Sequence, residues 1–149
     1  MSQKREIPLF KVYMSEEANK PLGEVLQSGY IGQGPKVEEF EKALADYLGN
    51  PYVNTVNSGT SALHLALHML KKNFTKDRDV ILSTPLTCTA TNFAIAANGL
   101  KIRWVDLDPN TCNVDLTDMR RKLTGDVAGI MVVHWGGYPV DLDELEDIQ

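Results

Sequence analysis

Four short apolar runs, each followed by a polar turn and a segment with helical potential, constrain the fold of this chain more than any other feature. The runs are YVNTV (52–56), VILS (80–83), IRWV (102–105) and VAGIMVV (127–133). They recur at intervals of roughly 22 to 28 residues, which suits a strand followed by a helix. This alternation predicts an α/β fold in three layers, with a mainly parallel sheet between helices on both faces.

The segment that follows the first run, 61–70, is apolar nearly all round its predicted helix. Helices with this pattern lie in protein interiors, where every side meets other apolar groups. We therefore expect residues 61–70 to form a buried helix.

Residues 1–50 have a different pattern, typical of an N-terminal helical segment. The first predicted helix has Ser15 as its N-cap and two glutamates in its first turn. A glycine-punctuated loop, SGYIGQGP, leads to a second amphipathic helix, which ends at Gly49. The βα units then occupy residues 51–149. The final stretch, LDELEDIQ, has helical spacing without a terminal cap, so we expect the chain, 1–149, to be the front part of a larger domain.

The composition argues against several classes of function. The net charge is −5, and the basic residues are scattered, which argues against a nucleic-acid surface. No apolar segment approaches the length of a membrane span, and the N-terminal sequence has no signal-peptide core. Cys88 and Cys112 match no zinc-binding or CxxC spacing. We therefore expect a cytoplasmic protein with no metal site, no nucleic-acid partner and no membrane contact.

The turn from Ser58 to Ser61 has the properties of an anion site. Free backbone N–H groups of the first helical turn point outward, and the helix dipole favours negative charge there. Gly59 allows a ligand to approach the backbone, and Thr60 adds a hydroxyl donor. A phosphate monoester fits better than a dinucleotide, because the chain has neither GxGxxG nor a Walker lysine. The alternative is that Ser58 is only an N-cap. Capping preference alone gives the anion-site and N-cap interpretations about equal weight.

Other polar residues near the predicted strand ends have two interpretations each. His134 could contact a ligand or transfer a proton, but a hydrogen-bonded structural histidine is an equal alternative. Cys88 has no basic neighbour in sequence, which favours packing over a nucleophile. His64 and His68 are four residues apart and could chelate a metal, but they lack the glutamate of an HExxH motif, so a packing role is favoured.

Five sequence blocks occur in the order of a known family. They are GPKVEEFEKALADYLG, VNSGTSALHLAL, TPLTCTATNFAI, GLKIRWVDLDPNTCNVD and VVHWGGYPVDLDEL. From Ile7 onward the chain resembles the DegT/DnrJ/StrS family of pyridoxal-phosphate-dependent sugar aminotransferases, which have the fold-type I aminotransferase fold. The resemblance implies that residues 1–149 are the N-terminal part of the large domain, which binds pyridoxal 5'-phosphate.

The resemblance also implies roles for particular residues. The turn from Ser58 to Ser61 would hold the phosphate of the cofactor, with a backbone contact from Gly59 and backbone and hydroxyl donors from Thr60. Cys88 would line the ring site, where many members of the family have an aromatic residue that stacks on the pyridine. The list of expected cofactor-binding residues is Ser58, Gly59, Thr60, Ser61 and Cys88. Tyr30 and His134 are expected on the substrate side.

The resemblance further implies what this chain lacks. The Schiff-base lysine and the aspartate that binds the pyridine nitrogen lie, in the family, downstream of the last block. None of the ten lysines of this chain is expected at the carboxyl end of a strand facing the phosphate turn. We therefore predict no catalytic residue in this chain and no activity of the chain alone.

The complete enzyme would be a homodimer that moves an amino group from an amino acid such as glutamate to a nucleotide-linked keto-sugar, with pyridoxamine 5'-phosphate as the intermediate form of the cofactor. Three alternatives stay open: a related sugar dehydratase that uses the same cofactor, a non-catalytic phosphate-binding module or half of a split enzyme, and a Rossmann-type nucleotide-binding domain. The lack of GxGxxG counts against the Rossmann-type domain.

Overall fold

A computed structural model describes residues 10–73 and 77–148 of the chain. The chain divides into two compact units, Met1–Thr55 and Val56–Gln149. The assignment of the whole chain to one incomplete domain stays a prediction.

The first unit is helical, as the sequence predicts. A short 3-10 helix, Glu16–Ala18, leads into α1 (Asn19–Ser28), and α2 follows at Pro35–Leu48. The Ser15 hydroxyl oxygen accepts the backbone N–H of Glu17 at 3.3 Å, which confirms the predicted N-cap. Gly49 ends α2 with a φ of 66°, a conformation that glycine adopts without steric cost.

The predicted first strand is wrong, because residues 52–56 do not form a strand. A strand is stabilised when a neighbouring strand takes up its backbone N–H and C=O groups. At Thr55 a side chain takes this role, since the Glu41 carboxylate accepts both the backbone N–H and the hydroxyl of Thr55, at 2.7 and 2.8 Å. The N–H and the hydroxyl of Thr55 are therefore satisfied within the first unit without a sheet partner.

The second unit contains the sheet and most of the alternating elements. Its order is α3 (Gly59–Asn73), β1 (Val80–Ser83), α4 (Thr89–Ala97), β2 (Lys101–Trp104), α5 (Leu116–Lys122), β3 (Val127–Ile130), a 3-10 turn (Trp135–Gly137) and α6 (Leu142–Glu146). The strand order is β2-β1-β3, and both pairs are parallel. Three of the four predicted strands and the parallel sheet are therefore confirmed, although β3 ends at Ile130 rather than at residue 133.

The central strand β1 places alternate side chains in two separate core clusters. Leu82 lies in a cluster with Val105 and with Met119 of α5. Ile81 points into the other cluster, which contains Leu67 of α3, Ile95 of α4 and three further buried residues. Since the side chains of a strand alternate between its faces, helices cover both sides of this sheet. The predicted three-layer arrangement is confirmed within the second unit.

The expectation that residues 61–70 form a buried helix is wrong. Leu67 is the one buried residue in α3, whereas the side chains of Leu65 and Met69 are 48% and 53% exposed. α3 packs against α4 and one face of a three-stranded sheet, so only one stripe of its surface is covered. None of the helices in the described ranges is both long enough and apolar enough to cross a membrane.

Candidate functional site

The turn that precedes α3 is held by hydrogen bonds among its own polar residues. The Ser58 hydroxyl oxygen accepts the backbone N–H of Ser61 at 3.2 Å, and the Ser58 carbonyl accepts the N–H of Ala62. The Ser61 hydroxyl donates to the side-chain oxygen of Asn57 at 2.7 Å. Ser58 is therefore an N-cap, as one of the two interpretations of the sequence predicts.

Capping by Ser58 leaves the first two N–H groups of α3 available. Within residues 10–73 and 77–148, no hydrogen bond uses the backbone N–H of Gly59 or Thr60, or the Thr60 hydroxyl. Apart from Ser58, Thr60 and the backbone of α3 itself, no described atom lies within 4 Å of the position that a Cβ on Gly59 would occupy. The N-cap and anion-site interpretations are therefore compatible, because the cap uses one donor and two others remain.

The start of α5 provides a comparison within the same unit. There the cap is Asp115, whose carboxylate accepts the N–H groups of both Thr117 and Asp118, at 2.8 and 3.1 Å. This carboxylate already supplies the negative charge that a helix N-terminus favours. The start of α3 has neutral serine in the capping position, so its two free N–H groups and the Thr60 hydroxyl suit an external anion such as a phosphate monoester.

The loop between β1 and α4 carries Cys88. Cys88 directly precedes the first residue of α4, and its thiol is free and exposed. Asn92 holds the beginning of this loop, because its amide donates to the Thr84 carbonyl at 3.0 Å while its side-chain oxygen accepts the Ser83 hydroxyl at 2.7 Å. This role of Asn92 was not predicted from the sequence, although an asparagine inside the apolar segment TATNFAIAA is a signal for it.

The segment after β3 carries His134. The His134 side chain is exposed, and its Nδ1 accepts the backbone N–H of Val140 at 3.1 Å. β1 and β3 are parallel neighbours, so the loops that carry Cys88 and His134 leave the same edge of the sheet. No hydrogen bond among the described residues joins either loop to the Ser58 turn.

Tyr30 lies in the first unit, in the loop between α1 and α2. Its side chain is largely exposed, and its backbone N–H donates to the Ser28 hydroxyl at 3.1 Å. The loop packs tightly at Gly34, where a Cβ would lie 2.8 Å from the Cβ of Tyr30. The substrate-side roles of Tyr30 and His134 stay predictions, as do the cofactor-binding roles of Ser58, Gly59, Thr60, Ser61 and Cys88.

His64, one of the two residues considered as metal ligands, contacts partly exposed residues of the second unit. Its ring lies edge-on to Phe93 with 5.8 Å between the ring centroids, and its Nδ1 is 3.4 Å from the amide nitrogen of Asn98. Across the described ranges, no group of three or more potential metal ligands comes together.

A family model for the DegT/DnrJ/EryC1/StrS aminotransferase family matches residues 12–149. The chain belongs to this family. The resemblance seen in the five sequence blocks is therefore confirmed.

Two solved structures are similar to the chain. The sugar aminotransferase CalS13 from Micromonospora echinospora matches with a TM-score of 0.85 and 47% identity, over 96% of this chain and 38% of that protein. An E. coli GDP-4-keto-6-deoxy-D-mannose-3-dehydratase, solved with bound hydrated pyridoxal phosphate, matches with a TM-score of 0.83 and 26% identity, over 96% of this chain and 38% of that one. The predicted fold class, an α/β fold of the fold-type I aminotransferase kind, is confirmed.

A relative of known activity is similar in sequence. The UDP-4-amino-4,6-dideoxy-N-acetyl-beta-L-altrosamine transaminase of Campylobacter jejuni is 36% identical over 130 residues, which are 85% of this chain and 33% of that protein. The chain thus spans between 33% and 38% of the length of these three proteins.

Proposed function

We propose that this chain is the N-terminal part of the cofactor-binding domain of a sugar aminotransferase, and that the start of α3 holds the phosphate of pyridoxal 5'-phosphate. The observation that carries the proposal is the pair of free N–H groups at Gly59 and Thr60, beside a serine cap, in a member of this family. When bound, the cofactor supplies the electron sink for transfer of an amino group from an amino acid such as glutamate to a nucleotide-linked keto-sugar.

The residues of the turn suit this task. The N–H groups of Gly59 and Thr60 and the Thr60 hydroxyl would donate to phosphate oxygens, and the absence of a side chain at Gly59 keeps the approach open. Ser58 and Ser61 would orient the turn through their mutual hydrogen bonds. Cys88, at the start of α4, would lie beside the ring, and its small side chain would contribute contact rather than aromatic stacking.

His134 and Tyr30 complete the proposed set on the substrate side. Tyr30 offers a phenol hydroxyl from an exposed loop position, and His134 offers the ring nitrogen Nε2, because its Nδ1 is already bonded to Val140. We infer further that the complete enzyme is a cytoplasmic homodimer that passes through the pyridoxamine 5'-phosphate form.

A sugar dehydratase is the second candidate. Its support is the match to the E. coli dehydratase at 26% identity, whereas the identity to the aminotransferase CalS13 is 47%, which favours amino transfer. Both candidates require the same phosphate contacts from Gly59 and Thr60, so one binding experiment tests the cofactor site for both.

The experiment is a calorimetric titration of the chain with pyridoxamine 5'-phosphate and, separately, with pyridoxamine, which lacks the phosphate. We expect binding of the first compound only. Thr60→Val removes a hydroxyl donor to a charged acceptor, a bond worth about 1.5 kcal/mol or more, so affinity falls about tenfold.

The matched control is Thr117→Val at the equivalent position of α5, where the cap Asp115 already accepts the N–H. This variant keeps the affinity of the unaltered chain. Equal binding of pyridoxamine and its phosphate, or equal losses in Thr60→Val and Thr117→Val, would contradict the assignment.

A further inference from the structure

Asn113 joins two points of the segment that follows β3. Its side-chain oxygen accepts the backbone N–H of Trp135 at 2.9 Å, and its amide group donates to the carbonyl of Tyr138 at 3.0 Å. The residue is 5% exposed, so its own end of both bonds is shielded from water. An asparagine amide suits this position because it offers one acceptor and one donor on a single planar group.

A hydrogen bond between His134 and Val140 joins the two ends of the same segment. Nδ1 of His134 accepts the N–H of Val140, which spans the loop from its first to its last residue, and Val140 is itself buried in the core. Between His134 and Val140 in the sequence, Gly136 and Gly137 adopt φ values of 61° and 83°, which few other residues tolerate. The loop shape thus depends on these two glycines, on the His134–Val140 bond and on the two bonds to Asn113.

The bond to Val140 determines which ring nitrogen of His134 carries the proton. A neutral imidazole has one N–H and one acceptor nitrogen, and the second bond partner fixes the tautomer. Since Nδ1 accepts from Val140, the proton of neutral His134 lies on Nε2. The exposed imidazole therefore presents a hydrogen-bond donor, at the sheet edge from which the Cys88 loop also leaves.

We propose that Asn113 is a positioning residue for His134: by bonding Trp135 and Tyr138 it holds the loop in the shape that keeps the Nδ1–Val140 bond, and it thereby keeps Nε2–H directed at the ligand. This inference rests on the proposed function only in placing His134 on the ligand side. The tautomer itself is a property of the chain without any ligand.

The test is nitrogen NMR of the full chain with ¹⁵N-labelled histidine, recorded at a pH of about 8, where an ordinary imidazole is neutral. The chain has three histidines, so His134→Gln assigns the signals of His134. We expect the unaltered chain to show His134 as the single Nε2–H tautomer. In Asn113→Ala we expect the Nδ1 and Nε2 signals of His134 to move toward each other, because both tautomers become populated.

The matched control is Asn110→Ala, in the same connection between β2 and α5. Among the residues that the structure describes, the Asn110 side chain bonds Asp108 alone. This variant leaves the His134 signals unchanged. The signals of His64 and His68 must stay in place in every variant, which confirms that the fold is retained. If Asn113→Ala does not fold, Asn113→Asp replaces it: this variant keeps the acceptor for Trp135 but loses the donor to Tyr138, and the same direction of change is expected.

Two results would overturn the proposal. One is a wild-type His134 that is protonated on Nδ1 or is an even mixture of tautomers. The other is a folded Asn113 variant whose His134 signals match those of the unaltered chain.

Titration of the labelled chain with pyridoxamine 5'-phosphate separates this inference from the proposed function. A shift of the His134 Nε2 signal supports the ligand-side placement. Phosphate binding without any change at His134 overturns that placement and leaves the phosphate site intact. Absence of binding overturns the proposed function, while the tautomer result still decides the role of Asn113.

Discussion

The two compact units of this chain contain equally regular helices but differ in burial. None of the described residues 10–55 is buried, whereas the second unit builds two core clusters around β1. In α2 the side chains of Phe40 and Tyr47 are 55% and 87% exposed, although they lie on the apolar stripe of the helix. An amphipathic pattern therefore specifies a helix and its apolar face, but it does not supply the surface that covers this face.

The difference follows from what each type of element needs. α2 has Pro35 at its first position and Gly49 as its C-cap, and exposed ion pairs such as Lys42–Asp46 lie along it. All of these features act within the helix itself or at its ends. β1, in contrast, needs two neighbouring strands to pair its backbone groups and helices on both faces of the sheet to cover its side chains. Burial thus concentrates where the elements depend on one another.

The largest expected effect comes from removing a core side chain in the second unit. Leu82→Ala leaves a cavity at a fully buried position of β1, and we expect a loss of about 2–5 kcal/mol in the free energy of unfolding. The measurement is urea denaturation followed by tryptophan fluorescence, because both tryptophans, Trp104 and Trp135, lie in the second unit.

The matched change in the first unit is Phe40→Ala, on the exposed apolar stripe of α2. Substitutions at such positions change stability by about 0.5 kcal/mol or less, so the midpoint of the tryptophan transition stays in place. Equal losses in Leu82→Ala and Phe40→Ala would remove the distinction between the units.

An intermediate effect is expected at Asp118, the buried carboxylate of α5. It accepts Lys122 Nζ at 2.6 Å, the backbone N–H of Asp106 at 2.8 Å, and Arg121. Asp118→Asn weakens these charge-assisted bonds and should lower the free energy of unfolding at pH 7 by about 1–3 kcal/mol. Asp46→Asn, which removes the charge of an exposed pair in the first unit, should have almost no effect.

Acid titration extends this test. The Lys122 ammonium, the Asp106 N–H and the Arg121 guanidinium hold the pKa of Asp118 well below its ordinary value of 3.8. Hydrogen bonds from Arg103 and then Thr124 lower the pKa of Asp126 to about 2. A lowered folded-state pKa contributes stability above the ordinary pKa, and this contribution is lost as the pH falls through the folded value. Stability of the second unit should therefore drop between about pH 4 and pH 2, and less steeply in Asp118→Asn.

The smallest effect is expected at Glu41 in the first unit. The backbone N–H and then the hydroxyl of Thr55 lower the pKa of the Glu41 carboxyl, which is the ionised acceptor of both bonds. In Glu41→Ala we expect faster hydrogen exchange at the Thr55 amide and no change in the tryptophan transition. Glu38→Ala, on the same helix, is the control. Unchanged exchange at Thr55 in Glu41→Ala would show that something other than this carboxylate protects the amide.

The candidate site was predictable in part. Ser58 as a helix cap and the free donors at Gly59 and Thr60 follow from local backbone chemistry, since the first N–H groups of any helix lack partners within it. The roles of Asn92 and Asn113 were not predictable in this way. Asn113 bonds residues 22 and 25 positions away, and no local pattern encodes such partners.

The sequence alone determined the caps of the helices in the first unit, which apolar runs could become strands, and the family to which the chain belongs. Caps, side-chain periodicity and ordered motifs are properties of neighbouring residues. Tertiary structure alone decided that residues 52–56 remain outside the sheet, that only one stripe of α3 is buried, and that Asn113 supports the His134 loop. These outcomes depend on which distant surface or hydrogen-bonding group lies opposite, and burial and pairing exist only between elements.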